Sequence, residues 1–319
     1  MLGALCNDAA DLQARARENA SRHHFNIAIG YRYQDSSRHF IGTDEQKQRE
    51  LLHNQVENSI HLFDVAIDYQ LTSRWSLTGS LPVMVATRHQ GSGLFHVHGI
   101  GDATVGARAW VFRPPTESGG NIAIGFSLKI PTGKADSADY AFNSKGQSSI
   151  QTSDQSIQLG DGGWGFSLDT QAFHRTYFHS MLYFSGSYLF NPQDTNGVKT
   201  FRKAPGEEVM SVSDQYLYRG GISHRLPWFK GLVGSIGGRM EGVPVRDAFG
   251  KSDGFRRPGY AIDVDPGFIY SRGRDLWSVN VPWAVERNRR ASVSDIANHT
   301  HGDAAFADYV LLLSYSRHF

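Results

Sequence analysis

Two short histidine repeats carry the sharpest chemical signal in this chain of 319 residues: His96-x-His98 and His299-x-His301-x-Asp303. In an extended segment alternate side chains face the same way, so each pair of imidazoles could share a Zn or Cu ion. Both pairs fall in long polar connections, where solvated histidines also alternate, and no carboxylate or thiolate spacing completes a ligand set. Gly99-Ile-Gly101-Asp102 followed by Gly106 has a glycine pattern near that of a dinucleotide loop, but the third glycine is too far along and no helix period follows. Thr132-Gly133-Lys134 lacks both the upstream glycine and the following Ser or Thr of a phosphate loop. A hydrolytic Ser–His pair needs a third group to orient the imidazole. His61 and Ser180 have a shared outward phase, but no signature surrounds either. The residues point to no enzyme and require no cofactor.

Composition narrows the setting. The chain is 40% hydrophobic and 12% aromatic, enough for a large apolar surface, and holds 34 glycines. Charged residues make up 20%, with a formal charge of +1 and neither sign in a long block, which gives no electrostatic basis for nucleic-acid binding. A single cysteine, Cys6, excludes an internal disulfide framework. No stretch approaches the roughly 18 apolar residues of a membrane helix. Residues 1–23 read as a polar arm or the remnant of a signal segment, with a short exposed helix over 8–18.

From residue 24 onward the dominant signal is a period of two. Phe25, Ile27, Ile29, Tyr31 and Tyr33 share one face, as do His61, Phe63, Val65, Ile67, Tyr69 and Leu71; the same alternation recurs to the final Tyr309, Leu311, Leu313, Tyr315 and Phe319. About twelve such segments can be counted. The connections alternate between short (72–74, 114–119, 174–176, 227–230, 272–275) and long (35–59, 87–101, 132–156, 191–214, 244–257, 287–303). That asymmetry, with an even strand count, is the pattern of one antiparallel transmembrane β-barrel over residues 24–319 in a bacterial outer membrane. Its tight turns and both ends are periplasmic and its long loops extracellular. Tyr69, Trp75, Trp110, Phe112, Phe173, Tyr177, Phe178, Trp228, Phe229, Tyr270, Trp277 and Phe319 flank the short turns as an aromatic girdle would. Pro82, Pro131, Pro266 and Pro282 interrupt strand segments and predict bulges.

The opposite phase holds charge. Arg32, Asp64, Asp68, Asp102, Arg108, Lys129, Asp169, Arg219, Arg239, Glu241, Asp263, Asp265 and Glu286 are expected to line the lumen, either as a filled network of ion pairs or along a water path. Acidic residues outnumber basic ones among them, which predicts a weak cation preference.

Five stretches carry a resemblance: GIGDATVGARAW (99–110), LKIPTGK (128–134), LGDGGWGFSLD (159–169), DGFRRPGYAIDVDPGFIYS (253–271) and VPWAVERNRR (281–290). In these the chain resembles the outer-membrane barrel family named for meta-pathway phenol degradation and transport. The resemblance implies a single barrel in a catabolic or export context, with small aromatic or hydrophobic cargo and no catalytic residues. The expected function is passive passage of small solutes through the lumen, with outer-membrane lipid and the solute as partners. The loops over 132–156 and 191–214 are expected to narrow the mouth. The rival reading is a non-conducting barrel that acts as a surface scaffold and binds metal through its loop histidines. The oligomeric state is not legible.

Overall fold

The computed structural model describes residues 24–91, 93–112, 119–142, 146–178 and 180–319. The expected arm over 1–23, with Cys6, and most of the 114–119 turn lie outside them. Twelve antiparallel strands form one closed sheet: β1 (Phe25–Ile41), β2 (Val56–Gln70), β3 (Trp75–Gln90), β4 in two pieces (Gly93–Ile100 and Ala103–Trp110), β5 (Gly120–Ile130), β6 (Gly165–Arg175), β7 (Ser180–Phe190), β8 (Gln215–Arg225), β9 (Leu232–Val243), β10 (Gly259–Arg272), β11 in two pieces (Asp275–Asn280 and Trp283–Arg289) and β12 (Ala304–His318). No helix among the described residues is long and apolar enough to cross a membrane; the strands do so.

Closure satisfies the backbone groups that an open edge would leave bare in lipid. β12 pairs with β1 from Asn26 opposite His318 to Phe40 opposite Ala304. The Phe319 N–H donates to the Phe25 carbonyl at 2.9 Å, and the His24 ring nitrogen lies 2.9 Å from the Phe319 carbonyl. The apolar terminal residue is thus the last rung of the closing ladder. Alternation then sorts the side chains. Ala28, Leu62, Met84 and Leu312 are buried inside, while Ile29, Val65, Leu77 and Leu313 are exposed on the outer face, where water would not tolerate so wide an apolar band.

The prolines act differently from the expectation. Ladder shifts fall at Gln34/Ser36, Ser36/Arg38 and Ile262/Asp263, whereas the prolines mark where strands break or end. Pro82 has no N–H to give to β4, and β4 is interrupted opposite it, with the Gly101 N–H turned onto the Pro82 carbonyl at 2.7 Å. Pro282 separates the two pieces of β11, and the Val281 N–H reaches the Pro266 carbonyl at 3.1 Å. Pro131 follows the last residue of β5. Below its break β4 pairs with β5, and above it only with β3. Leu159 fills the vacated edge. Gly99, at φ +150°, gives it room, because a Cβ there would stand 2.8 Å from the Leu159 Cδ1.

A second departure concerns the 87–101 connection, which is a tight hairpin with Gln90 opposite Gly93, so the strands continue through it. Two members of the expected girdle also move. Trp110 and Phe173 point inward and meet edge to face at 6.0 Å, in a core with Ala123, Met181 and Tyr183. Trp110 shares the parity of Arg108, and Phe173 that of Asp169, so both belong to the inner face.

On that inner face Gly221 and Gly237 stand opposite each other, and Tyr183 pairs in register with Gly221. The Tyr183 ring covers both: a Cβ on either glycine would lie 2.7 or 2.6 Å from its hydroxyl, and the Arg219 guanidinium packs over the ring at 5.3 Å. An aromatic side chain here takes the volume two missing side chains leave. Gly237→Ala is expected to destabilise the barrel by about 1–3 kcal/mol through overpacking. The measurement is the urea midpoint of folding into lipid vesicles, and an unchanged midpoint would contradict the packing assigned to Tyr183.

Candidate functional site: the lumen and its loop plug

The inward charges gather into ion pairs. Arg32 grips Glu241 with two nitrogens at 3.0 and 2.6 Å, and Arg239 donates to the same carboxylate at 2.7 Å. Asp263 stands beside Arg239 in register on β10. Arg219 donates to Asp265, which also accepts from Asn280 at 3.0 Å. Arg108 lies 3.4 Å from Asp169 and 3.9 Å from Asp68. Lys129 reaches both oxygens of Asp161 and sits 3.9 Å from Asp102. Asp64 is buried in the wall between Gly30 and Pro82 in register.

Glu286 is the exception. It pairs with Ile262, but the next rung joins Asp263 to Ala284, so a bulge at Val285 reverses the phase. Glu286 therefore faces outward, accepting from the Tyr260 hydroxyl at 2.8 Å, and Arg287 and Arg289 take the inner positions.

Above the lumen the long loops fold over the mouth. The 131–164 connection carries a hairpin, Ala138–Phe142 with Ser148–Thr152, and a short 3-10 turn, Gln155–Ile157, whose Ser156 N–H is capped by the Asp154 carboxylate. Ile157 is fully buried against Leu62, Met84, Ala86 and Val97 inside the barrel, a burial that contributes about 2 kcal/mol. The 191–214 connection adds a small ladder, Thr195–Lys199 with Val209–Ser211. Arginines from the 244–258 connection bind these loops together. Arg257 clasps Asp154 with both terminal nitrogens at 2.6 and 2.8 Å, and Arg88 approaches the same carboxylate at 3.6 Å. Arg256 clasps Asp247 and donates to the Ser211 hydroxyl at 2.6 Å. Phe255 lies between the guanidinium groups of Arg202 and Arg257, 3.9 and 4.7 Å from its ring centre.

Burial alone would push the Asp154 carboxyl up. The Arg257 guanidinium, helped by Arg88 and the Ser156 N–H, overrides it and holds Asp154 far below the usual carboxylate range. The clasp is therefore charged at any physiological pH.

Between plug and wall lies a cavity of about 240 Å³. Leu62, Pro82, Met84, Leu159, Met210 and Val243 give it an apolar side, and Asp102, Gln155, Ser156, Gln158, Asp161, Asn196, Ser211, Ser213, Gln215 and Arg257 a polar one. Of these the sequence singled out Asp102 as a lumen residue, and Leu159, Asp161 and Arg257 only as parts of the 159–169 and 253–271 stretches. Leu62, Met84 and Gln215 carry the inward parity of their strands, which is the signal that could have found them.

His96 and His98 lie on β4, exposed, with the His96 N–H on Asp139 at 2.8 Å; His301 instead contacts the Arg289 carbonyl at 2.8 Å, and His299 sits exposed in the final loop. Among the described residues no group of three or more His, Cys, Asp or Glu is placed to hold a metal ion.

No family model and no curated protein matches the chain. Solved structures do. An outer membrane channel from Pseudomonas putida superposes with a TM-score of 0.63 at 12% identity, over 94% of this chain and 96% of that one. The β domain of the Bordetella autotransporter BrkA does so at 0.53 and 12%, over 93% and 100%. The Pseudomonas putida toluene transporter TodX follows at 0.47 and 10%, over 95% and 92%. At these identities the likeness is one of fold, that of a bacterial outer-membrane barrel.

Asp154→Asn leaves Arg257 buried without its carboxylate, a loss of about 3–5 kcal/mol that is expected to detach the 131–164 loop. Single-channel recording should then show larger or more frequent open steps than the native protein; identical traces would exclude the clasp as the latch. A carboxylate depressed in the folded state stabilises fully above its unfolded value of about 3.9 and is lost only as pH falls below it. The clasp should therefore not open between about pH 7 and pH 5, and native protein should not take on the enlarged steps of Asp154→Asn over that range.

Proposed function

We propose that this barrel is a passive channel for small, largely apolar solutes, moving down their gradient through the lumen, with a single aromatic ring as the fitting size. The observation that carries the reading is the lumenal cavity of about 240 Å³. An engineered cavity of roughly 150 Å³ lined by aliphatic and aromatic side chains takes up benzene, so this volume suffices for one substituted ring. Its lining sets six apolar side chains among ten polar or charged ones, which suits a small ring that carries a polar substituent. Gln158 donates its amide N–H groups to the Ser137 and Ser153 carbonyls and accepts from the Ser137 N–H, which leaves only the second lone pair of its oxygen to meet a solute.

The charged part of the lumen favours neither sign. With Glu286 outward, the inner-wall carboxylates Asp64, Asp68, Asp102, Asp169, Glu241, Asp263 and Asp265 face the cations Arg32, Arg88, Arg108, Lys129, Arg219, Arg239, Arg287 and Arg289, so the acidic excess behind the expected cation preference is gone. The loop plug favours a second reading, a barrel that conducts nothing and presents its loops as a surface scaffold.

Planar-bilayer recording separates the two. The channel is expected to give discrete steps, a reversal potential in a KCl gradient close to zero, and saturable block by benzyl alcohol as a one-ring probe. Met84→Trp, which fills the cavity, should lower conductance and abolish the block. Electrical silence of native protein and of Asp154→Asn alike would favour the scaffold.

A further inference from the structure

The ion pairs of the inner wall are not equally dry. Arg219 and Asp265, on the β8 and β10 side, are sealed, their side chains 3% and 0% exposed. Arg108, Asp68 and Asp169, on β4, β2 and β6, keep 17, 20 and 18% of theirs within reach of water. Charges taken fully out of water need close pairing, whereas these three are joined loosely, at 3.4 and 3.9 Å. Their place in the strands puts them below the cavity. Along the inner face of β5 the order toward the periplasm is Lys129, Ser127, Gly125, Ala123. Lys129 holds Asp161 at the edge of the cavity, and Ala123 belongs to the core with Trp110 and Phe173. Arg108 and Asp169 stand in register on either side of Gly125, between the two.

Gly125 decides how that pair lies. Its position carries no side chain, and the Asp169 carboxyl folds over it: a Cβ there would stand 2.6 Å from the carboxyl carbon, well inside van der Waals contact. Gly125 is buried beneath a carboxylate that itself meets water. Arg108 approaches the same carboxylate from the other side of β5 with no side chain of that strand between them. The pair therefore lies along the wall. On β4 Gly106 is bare as well, and Ser127 leans over it, its Cβ 2.7 Å from where a Cβ of Gly106 would be.

We infer that Arg108, Asp68 and Asp169 line the hydrated route by which a solute leaves the cavity toward the periplasm, and that Gly125 is a positioning residue that sets its bore by seating the Asp169 carboxylate against the wall. The route follows the β2 to β6 side, because the β8 to β10 side is filled by Arg219, Asp265 and the Tyr183 ring over its glycines. An alanine at 125 drives the carboxylate into the lumen and parts it from Arg108. The inference takes its consequence, conduction, from the channel reading, but its geometry can be read without any current.

The test places a thiol on each side of the lumen, in vesicles of Cys6→Ser protein. Ser127→Cys lies beside the route; Ser278→Cys lies on the opposite wall, where the native serine is 6% exposed and bonded to Ser314. A charged methanethiosulfonate should modify Ser127→Cys about tenfold faster than Ser278→Cys, because access governs the reaction of a thiol. Gly125→Ala should slow that modification and lower the single-channel conductance about twofold. Gly125→Ala/Asp169→Ala, with no carboxyl over position 125, should restore both. Equal rates at the two thiols overturn the inference, as does a Gly125→Ala protein with native rate and conductance, or a loss that persists in the double variant. Should Gly125→Ala not fold, the rates at the two thiols decide on a barrel with Gly125 in place. Electrically silent native protein that still reacts fast at Ser127→Cys removes the channel reading and leaves the hydrated route standing; a conducting barrel with equal rates does the reverse.

Discussion

The structure depends on one requirement: in hydrocarbon every backbone N–H and C=O of the sheet must find a partner within the chain. Closure of β12 on β1 follows from it, and so does the form of the terminus, where Phe319 completes the ladder with Phe25. The same requirement makes proline costly, and the chain meets the cost by breaking the neighbouring strand. Opposite Pro82 the freed Gly101 N–H turns to the proline carbonyl, and the gap above it is closed by Leu159 of the 131–164 loop. Where the ladder fails, a loop is admitted. The entry point of the plug is thus set by the proline.

Closure also fixes what the lumen must contain. Alternation sends every second residue inward, and a twelve-stranded tube is narrow enough for charges on different strands to meet across it, as Arg32 of β1 and Glu241 of β9 do. Removing such charges from water is expensive unless each is paired and hydrogen-bonded, so shared carboxylates recur: Glu241 serves two arginines, and Asp265 serves Arg219 and Asn280. Tyr183 over Gly221 and Gly237 solves the complementary problem of volume, filling with one ring what two glycines leave empty.

The parity of the strands was legible because a period of two is local, and it placed Arg32, Asp64, Lys129, Arg219 and Asp263 on the inner wall from the sequence alone. Glu286 was misplaced because a bulge at Val285 shifts the phase by one residue and leaves no trace in an alternation that continues on both sides. Trp110 and Phe173 were assigned to the girdle by their nearness to a turn, although their own parity pointed inward. The 87–101 segment was taken for a loop because its polar residues hide a two-residue hairpin. The plug was invisible for another reason. Asp154, Asp247, Arg256 and Arg257 lie in irregular segments about a hundred residues apart for the pair that matters most, and nothing in a one-dimensional pattern says that Arg257 closes on Asp154. The Arg-Arg-Pro-Gly-Tyr stretch stood out as unusual, but its partner was not readable.

The arrangement of apolar and charged wall decides which solutes the lumen suits. The cavity has an apolar side, formed by Leu62 and Met84 on β2 and β3 and the loop residues Leu159 and Met210, and an apolar ring sheds its water against it without unpairing a charge. Asp102, Asp161 and Arg257 border the same space, each held by other partners: Gly133, Lys129 and Asp154 respectively. Their charges are thereby turned away from the solute and toward one another. Selectivity is then a property of the plug as much as of the barrel, since the strands supply one apolar side and the loops the other, and the clasp that holds the loops down also holds the cavity to its size.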